Sequence, residues 1–211
     1  MAGGSGARFG GPKQYELLGG TRIIDRSVAV ARASGDGVVI VVPAADCARE
    51  GGVAGGATRS ESVRAGLATV PTDATIVCVH DAARPLVSKK LIDKLYISAA
   101  SHGNAIPVIP VGETMRMVDG EHNYVVDRSQ FRLVQTPQCF KTEMLLKSFH
   151  MVDYQNFTDD SSLYQAAGHQ IHLEEGEPFN IKVTHPNDFL FAEYYLQSVE
   201  RNNLKMHSYK N

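Results

Sequence analysis

The sequence predicts an α/β fold: a three-layer αβα sandwich around a mostly parallel sheet. It reads as one domain over 1–211, with a β-arm at 112–134 as a subregion. Three observations predict this. Short continuous apolar runs, as expected of strands buried on both faces, occur at Val38–Val42 and Ile76–Val79. Amphipathic helical segments alternate with them, the rhythm of a parallel sheet with crossover helices. One polar segment, 112–133, breaks that rhythm around a turn signal at Asp119-Gly120 and reads as a hairpin outside the main sheet.

In chain order, Ile23, Ile24, Ser27, Val28 and Ala31 share one face of a first helix. Ser88 is placed to cap a helix carrying Leu91, Ile92 and Leu95. The run from Ala105 to Val111 is apolar but interrupted by Pro107 and Pro110, so an irregular or edge position is expected. Thr142 is placed to cap a helix with Leu145, Leu146 and Phe149, and Thr158 one that ends at Gly168. A final helix follows Pro186.

With 211 residues, 43% apolar and 21% charged, the chain can bury one core. Net charge is −2, so no global positive field draws it to nucleic acid or to an anionic membrane. Phosphate chemistry would have to rest on local cations. No stretch approaches the roughly 18 apolar residues of a membrane span, and the N-terminus does not read as a secretory signal. Cys47, Cys78 and Cys139 form neither a CxxC pair nor an even disulfide framework, which favours a reducing, cytoplasmic setting with Cys78 a small core residue.

The segment from Ala2 to Tyr15 carries Gly3, Gly4, Gly6, Gly10 and Gly11, then Pro12-Lys13-Gln14. Clustered glycines let backbone N–H groups approach a phosphate, and Arg8 and Lys13 add two positive charges. The alternative is a flexible surface loop with incidental charges. It is not a dinucleotide fingerprint, because Phe9 stands at the third glycine, nor a Walker loop, because Lys13 precedes Gln14. That also disfavours a dinucleotide-dependent oxidoreductase.

His80-Asp81-Ala82-Ala83-Arg84-Pro85 follows the second apolar run. Ligands of open α/β sheets sit beyond the carboxyl ends of strands, so Asp81 stands where a metal ligand is useful. Mg²⁺ favours one or two carboxylates plus substrate phosphates. The competing roles for Asp81 are a turn or cap residue, or an ion pair with Arg84. His80 reads as structural.

These segments together resemble the 2-C-methyl-D-erythritol 4-phosphate cytidylyltransferase family of non-mevalonate isoprenoid synthesis. The resemblance runs in order through the glycine loop, Gly55–Val63, His80–Pro85, Glu113–Met115, Val126–Arg128, Gln135–Gln138, Thr158–Ser161 and Asn180–Thr184. It implies a Rossmann-like nucleotidyltransferase sheet and a hairpin arm exchanged across a homodimer. It implies CTP and a sugar-alcohol phosphate as substrates, and a divalent cation, Mg²⁺, on Asp81. Arg8, Lys13 and Lys182 would be the catalytic cations, Lys182 reaching the α-phosphate from a late strand. Ala2, Gly3, Gly56 and Ser62 would line the cytosine and ribose pocket, with Gly4, Gly6 and Ala82 also on the nucleotide. Arg84, Thr136 and Thr158 would face the acceptor, while Thr114 and Arg128 would serve the neighbouring subunit's acceptor.

The chain departs from the family pattern in four places. Met1 falls where the family carries a hydrophobic strand, the loop from Arg8 to Lys13 is short, and 43–55 looks too short for a helix plus strand. Ala57 replaces a common acidic residue. Rival readings are a ribitol 5-phosphate cytidylyltransferase and a nucleotide-binding homologue without turnover. Thr114 and Val126–Ser129 favour the methylerythritol acceptor.

Overall fold

The computed structural model describes residues 1–4 and 6–208. The elements are β1 (Leu17–Leu18), β2 (Thr21–Arg22), α1 (Ile23–Ser34), β3 (Val41–Val42), α2 (Cys47–Glu50), β4 (Val53–Ala54), α3 (Arg59–Leu67), β5 (Ile76–Val79) and α4 (Lys89–His102). They continue with β6 (Asn104–Pro110), β7 (Met115–Asp119), β8 (His122–Val126), β9 (Arg132–Val134), β10 (Gln138–Lys141), α5 (Thr142–Met151), α6 (Asp160–Ala166), β11 (Leu173–Glu175) and α7 (Pro186–Ser208).

The central sheet runs β11-β6-β10-β5, and β3 pairs in parallel with β4. Met1 and Ala2 stitch the two pieces together. Ala2 N–H donates to Val41 O at 2.7 Å, the Met1 ammonium to His80 O at 2.6 Å, and Ala82 N–H to Met1 O at 2.9 Å. These two residues thus lie between β3 and the end of β5.

The sheet is mostly parallel. β5, β6 and β11 share one direction, β10 runs against both β5 and β6, and β9 runs against β6. Alternation along the strands builds the layers. Cys139 and Ala105 turn to one face with Leu91, Ile92, Leu95 and Ala99 of α4. Phe140 and Ile106 turn to the other, with Val63 and Leu67 of α3, Leu145 and Phe149 of α5, and Leu163 and Tyr164 of α6. Each large side chain so buried contributes about 1.5–3 kcal/mol.

Several local expectations hold. Ser88 Oγ accepts the Leu91 N–H at 3.0 Å and caps α4. The hairpin forms from β7 and β8, with Gly120 in the left-handed region at φ +57° where a side chain would be strained. Gly168, at φ +90°, follows α6.

Others are corrected. The 104–110 run is a seven-residue strand inside the sheet, not an irregular edge. Ile106 N–H donates to His172 O toward β11, so by alternation Pro107 faces the opposite side, where β10 gives way to β9 and only Gln135 N–H reaches Pro107 O. Its missing N–H therefore breaks no ladder bond. Thr142 opens α5 but does not cap it. Asp159, not Thr158, caps α6 through Oδ1 to Ser162 N–H at 3.0 Å. The first apolar run contributes only Val41–Val42 as strand. Segment 43–55 does hold a helix and a strand, in the short forms α2 and β4. Asn180–Thr184 forms no ladder strand; Val183 N–H bonds Ala83 O at 2.8 Å.

The cysteine reading is also corrected. Cys78 and Cys139 are opposed in the β5/β10 register, 4.0 Å apart at Cα, and joined as a disulfide. They lie 61 positions apart, and only the antiparallel insertion of β10 brings them together. Cys47 is the free thiol among the described residues.

Candidate active site

The site lies at the carboxyl ends of β3 and β5. The glycine loop leaves the sheet at Ala2 and folds on itself: Gly6 O accepts N–H groups from Phe9, Gly10 and Gly11 at 2.8, 3.1 and 3.3 Å. Gly6 has φ +69°, and a Cβ there would stand 1.8 Å from Gly11 O, so only glycine closes this turn. The turn hands the chain to a 3₁₀ segment, Lys13–Tyr15, whose Tyr15 hydroxyl donates to Asp46 at 2.6 Å.

Asp81 follows β5 directly and is buried. Its backbone N–H donates to Thr136 Oγ1 at 3.0 Å, and the same oxygen meets His80 Nδ1 at 3.1 Å. His80 Nε2 lies 3.2 Å from Arg84 O. Both ring nitrogens are thus occupied by the scaffold, and burial, then the nearby N-terminal ammonium, lowers the His80 pKa to about 4. A neutral, doubly engaged imidazole is a structural part, as its sequence context predicts.

Asp81 Oδ2 accepts from Lys182 Nζ at 2.6 Å, and Oδ1 lies 3.4 Å from Arg59. Burial works against ionisation here, but Arg59 and Lys182 outweigh it and hold the Asp81 carboxyl well below the usual range. The predicted alternative partner, Arg84, is elsewhere: it donates to Asn180 O at 2.7 Å and to Val134 O at 3.3 Å. Arg84 therefore ties the base of the arm to the segment bearing Lys182.

Lys13 does not line the cleft that holds Lys182, though it lies near enough to feel that charge. Partial burial, then repulsion from Lys182 and Arg8, lowers its pKa. A site that crowds three cations at a cost to itself is prepared for a polyanion.

A cleft of about 610 Å³ gathers Asp81, Arg84, Thr136, Thr158 and Lys182, five of the predicted residues, with Arg59 and Asp159. The base-pocket candidates cluster at the loop's other end. A Cβ on Gly3 would lie 3.7 Å from Ser62 Oγ, and one on Gly56 would collide with Glu61 Cβ at 2.3 Å. Ser62 Oγ accepts Gly56 N–H at 3.0 Å and donates to Thr58 O at 2.9 Å, so it shapes the loop. Ala82 uses both backbone groups in the scaffold, toward Met1 and Ser27. Gly4 and Arg8 are exposed. Thr114 and Arg128 lie on the exposed arm, apart from this cleft, and Arg128 donates to Gly112 O.

Sequence reasoning assigned no role to Arg59 and Asp160, although both fall inside motifs it singled out. Arg59 follows the N-cap of α3, where Thr58 and Glu61 form a capping box. Its Nη2 lies 2.8 Å from Asp160 Oδ2. The doublet Asp159-Asp160 held the signal, since one carboxylate caps α6 and leaves the other to face inward.

Asp81 is the cleft carboxylate that could hold a metal, since Ser161, Ser162 and Gln138 occupy Asp159. Among the described residues no three His, Cys, Asp or Glu side chains converge as a cage. One carboxylate at the floor of a cationic cleft suits Mg²⁺ carried on substrate phosphates, and not a fully protein-ligated ion.

The doubly wound sheet, the glycine loop at its carboxyl edge and the lysine–aspartate floor define an α/β nucleotidyl-transferring enzyme. Over residues 1–198 the chain matches the family model described as IspD: 2-C-methyl-D-erythritol 4-phosphate cytidylyltransferase. It is 38% identical over 201 residues to that enzyme of Thermus thermophilus, covering 91% of this chain and 92% of the relative. It is 37% identical to the Porphyromonas gingivalis enzyme, covering 94% and 96%. The Thermus thermophilus crystal structure superposes with a TM-score of 0.80 at 35% identity, over 90% of this chain and 96% of that one. The chain belongs to the 2-C-methyl-D-erythritol 4-phosphate cytidylyltransferase family. These matches support the methylerythritol enzyme and not the ribitol one.

Proposed function

We propose that the chain carries out its family's reaction by positioning and charge neutralisation, without a general base. As a cytidylyltransferase it joins CTP to 2-C-methyl-D-erythritol 4-phosphate, giving 4-diphosphocytidyl-2-C-methyl-D-erythritol and pyrophosphate. The acceptor phosphate is already anionic at neutral pH, its second pKa being about 6. Its oxygen attacks the α-phosphorus, a new P–O bond forms, and the α–β bond breaks with its electron pair leaving on pyrophosphate.

Lys182 exchanges Asp81 for the α-phosphate, and Lys13 meets the growing charge from the loop side. Arg8 holds the leaving pyrophosphate. Asp81, released from Lys182, is the residue that would hold Mg²⁺; the ion, when bound, supplies further charge neutralisation on the phosphates. Gly3, Gly56 and the neighbouring backbone enclose the base with Ala2, while Gly4 and Gly6 keep the loop clear of side chains. Thr136 and Thr158 line the acceptor end of the cleft, joined there by Arg84. The observation that carries this reading is the 2.6 Å Lys182–Asp81 contact on the cleft floor, beside a lysine already repelled by Lys182.

The arm exposes Val118, Tyr124, Val125, Leu133 and Val134. Such a patch supports a homodimer in which each arm offers Thr114 and Arg128 to the partner's acceptor. Among the described residues no helix is long and apolar enough to cross a membrane. We place the enzyme in the cytoplasm with its phosphorylated substrates, a reading the Cys78–Cys139 bond leaves without support from cysteine usage.

Pyrophosphate release from CTP, measured with methylerythritol phosphate and with ribitol phosphate as acceptors, tests the function. Turnover with the first alone is expected. CTP binding without turnover on either would overturn the reading.

A further inference from the structure

We infer that Asp160 is a positioning residue for cation binding: its buried carboxylate neutralises Arg59, so that Asp81 keeps a net negative charge for a divalent ion. The inference rests on the reading of Asp81 as the metal carboxylate. Its own foundation is the geometry of three groups from three elements.

Arg59 opens α3 and Asp160 opens α6, so the two helix N-termini converge on the loop after β5. Arg59 Nη2 stands 2.8 Å from Asp160 Oδ2, whereas its nearest approach to Asp81 Oδ1 is 3.4 Å. Arg59 Nε and Nη2 both donate to Asp81 Oδ1 at 3.4 Å, but Coulomb attraction falls with distance, so the closer Asp160 carboxylate is the stronger partner by charge. The Asp160 side chain is 2% exposed, which leaves little water to screen that attraction. Burial pushes the Asp160 carboxyl up and Arg59 opposes it. The neighbouring Asp159 cannot substitute, because Ser161, Ser162 and Gln138 occupy its oxygens.

Charge counting then gives the role. Among the side chains, Asp81, Asp160, Arg59 and Lys182 sum to zero; the Met1 ammonium also acts on Asp81, and burial lowers the ammonium's pKa. When Lys182 turns to the α-phosphate, the remaining three carry one net negative charge, centred on the free oxygen of Asp81. Without Asp160 they would sum to zero, and an incoming divalent cation would face an unneutralised guanidinium beside its only carboxylate. A purely structural Arg59–Asp160 strut between α3 and α6 predicts no such dependence on sign.

The test is the factor by which Mn²⁺ tightens CTP binding, read by calorimetry on the full chain with Mn²⁺ and with EDTA, no acceptor present. Asp160→Asn is expected to cut that factor about tenfold. Arg59→Gln/Asp160→Asn, which removes both charges, is expected to restore most of it. Arg59→Gln alone is expected to raise it, and reads the same charge if Asp160→Asn does not fold. An unchanged factor in Asp160→Asn, a double variant no better than the single one, or a lower factor in Arg59→Gln each overturns the inference. Asp81→Asn separates the two claims. If that variant keeps the full Mn²⁺ effect, the Asp81 reading itself fails; if it loses the effect while Asp160→Asn keeps it, only the present inference does.

Discussion

Lys182 and Asp81, 101 residues apart, meet at 2.6 Å on the floor of the cleft. The pair is asymmetric. Asp81 is fixed by the end of β5 and by its N–H bond to Thr136, while the Lys182 side chain remains 41% exposed and can turn toward a phosphate.

Lys182→Met should therefore lower kcat by about 10²–10³, the loss of one preorganised contact to developing charge. Steady-state pyrophosphate release measures it. The melting temperature should also fall, since the variant leaves the buried Asp81 carboxylate with Arg59 as its remaining cationic side-chain partner. Turnover within a few-fold of the parent would remove Lys182 from the chemistry.

Lys13→Ala should also lower kcat strongly with the fold intact by circular dichroism. Its lowered pKa adds a second expectation. The unfolded chain holds that proton up to about 10.5, above the folded value, so the charged lysine opposes folding below that window. Removing it should raise the melting temperature of the ligand-free protein at neutral pH while reducing the stabilisation that CTP confers. Calorimetric scans with and without CTP decide both.

His80 gives a pH dependence with a definite sign. The unfolded chain takes up its proton near 6.5 and the folded chain only near about 4. Between those values the unfolded state binds more protons, so stability falls as pH drops from about 6.5 toward 4. A thermal-melt series across that range should show the decline, and His80→Asn should flatten it even if the variant is less stable throughout. An identical slope in the variant would assign the decline to other groups.

Arg128→Ala should raise the KM for the acceptor with little effect on the KM for CTP. Val118→Glu on the same arm should shift the protein toward monomer in sedimentation velocity and impair acceptor use in the same way. If Arg128→Ala altered CTP affinity alone, the arm would not serve the acceptor.

The amino-acid sequence determined the layered α/β plan, the Ser88 cap and the Asp119-Gly120 hairpin, because those depend on local apolar periodicity and turn chemistry carried within a few positions. Five residues that the family resemblance implied line the cleft, but Arg59 beside them carried no local signal of its role. Pro107 shows where local rules stop. It reads as a strand breaker until the sheet reveals that its blank N–H faces the junction between β10 and β9. The antiparallel course of β10, the Cys78–Cys139 pairing and the Asp81–Arg59–Asp160 relay were decided by tertiary structure alone. Each joins residues distant in sequence through strand order and the convergence of two helix ends, and no local pattern records which strand fills a given slot.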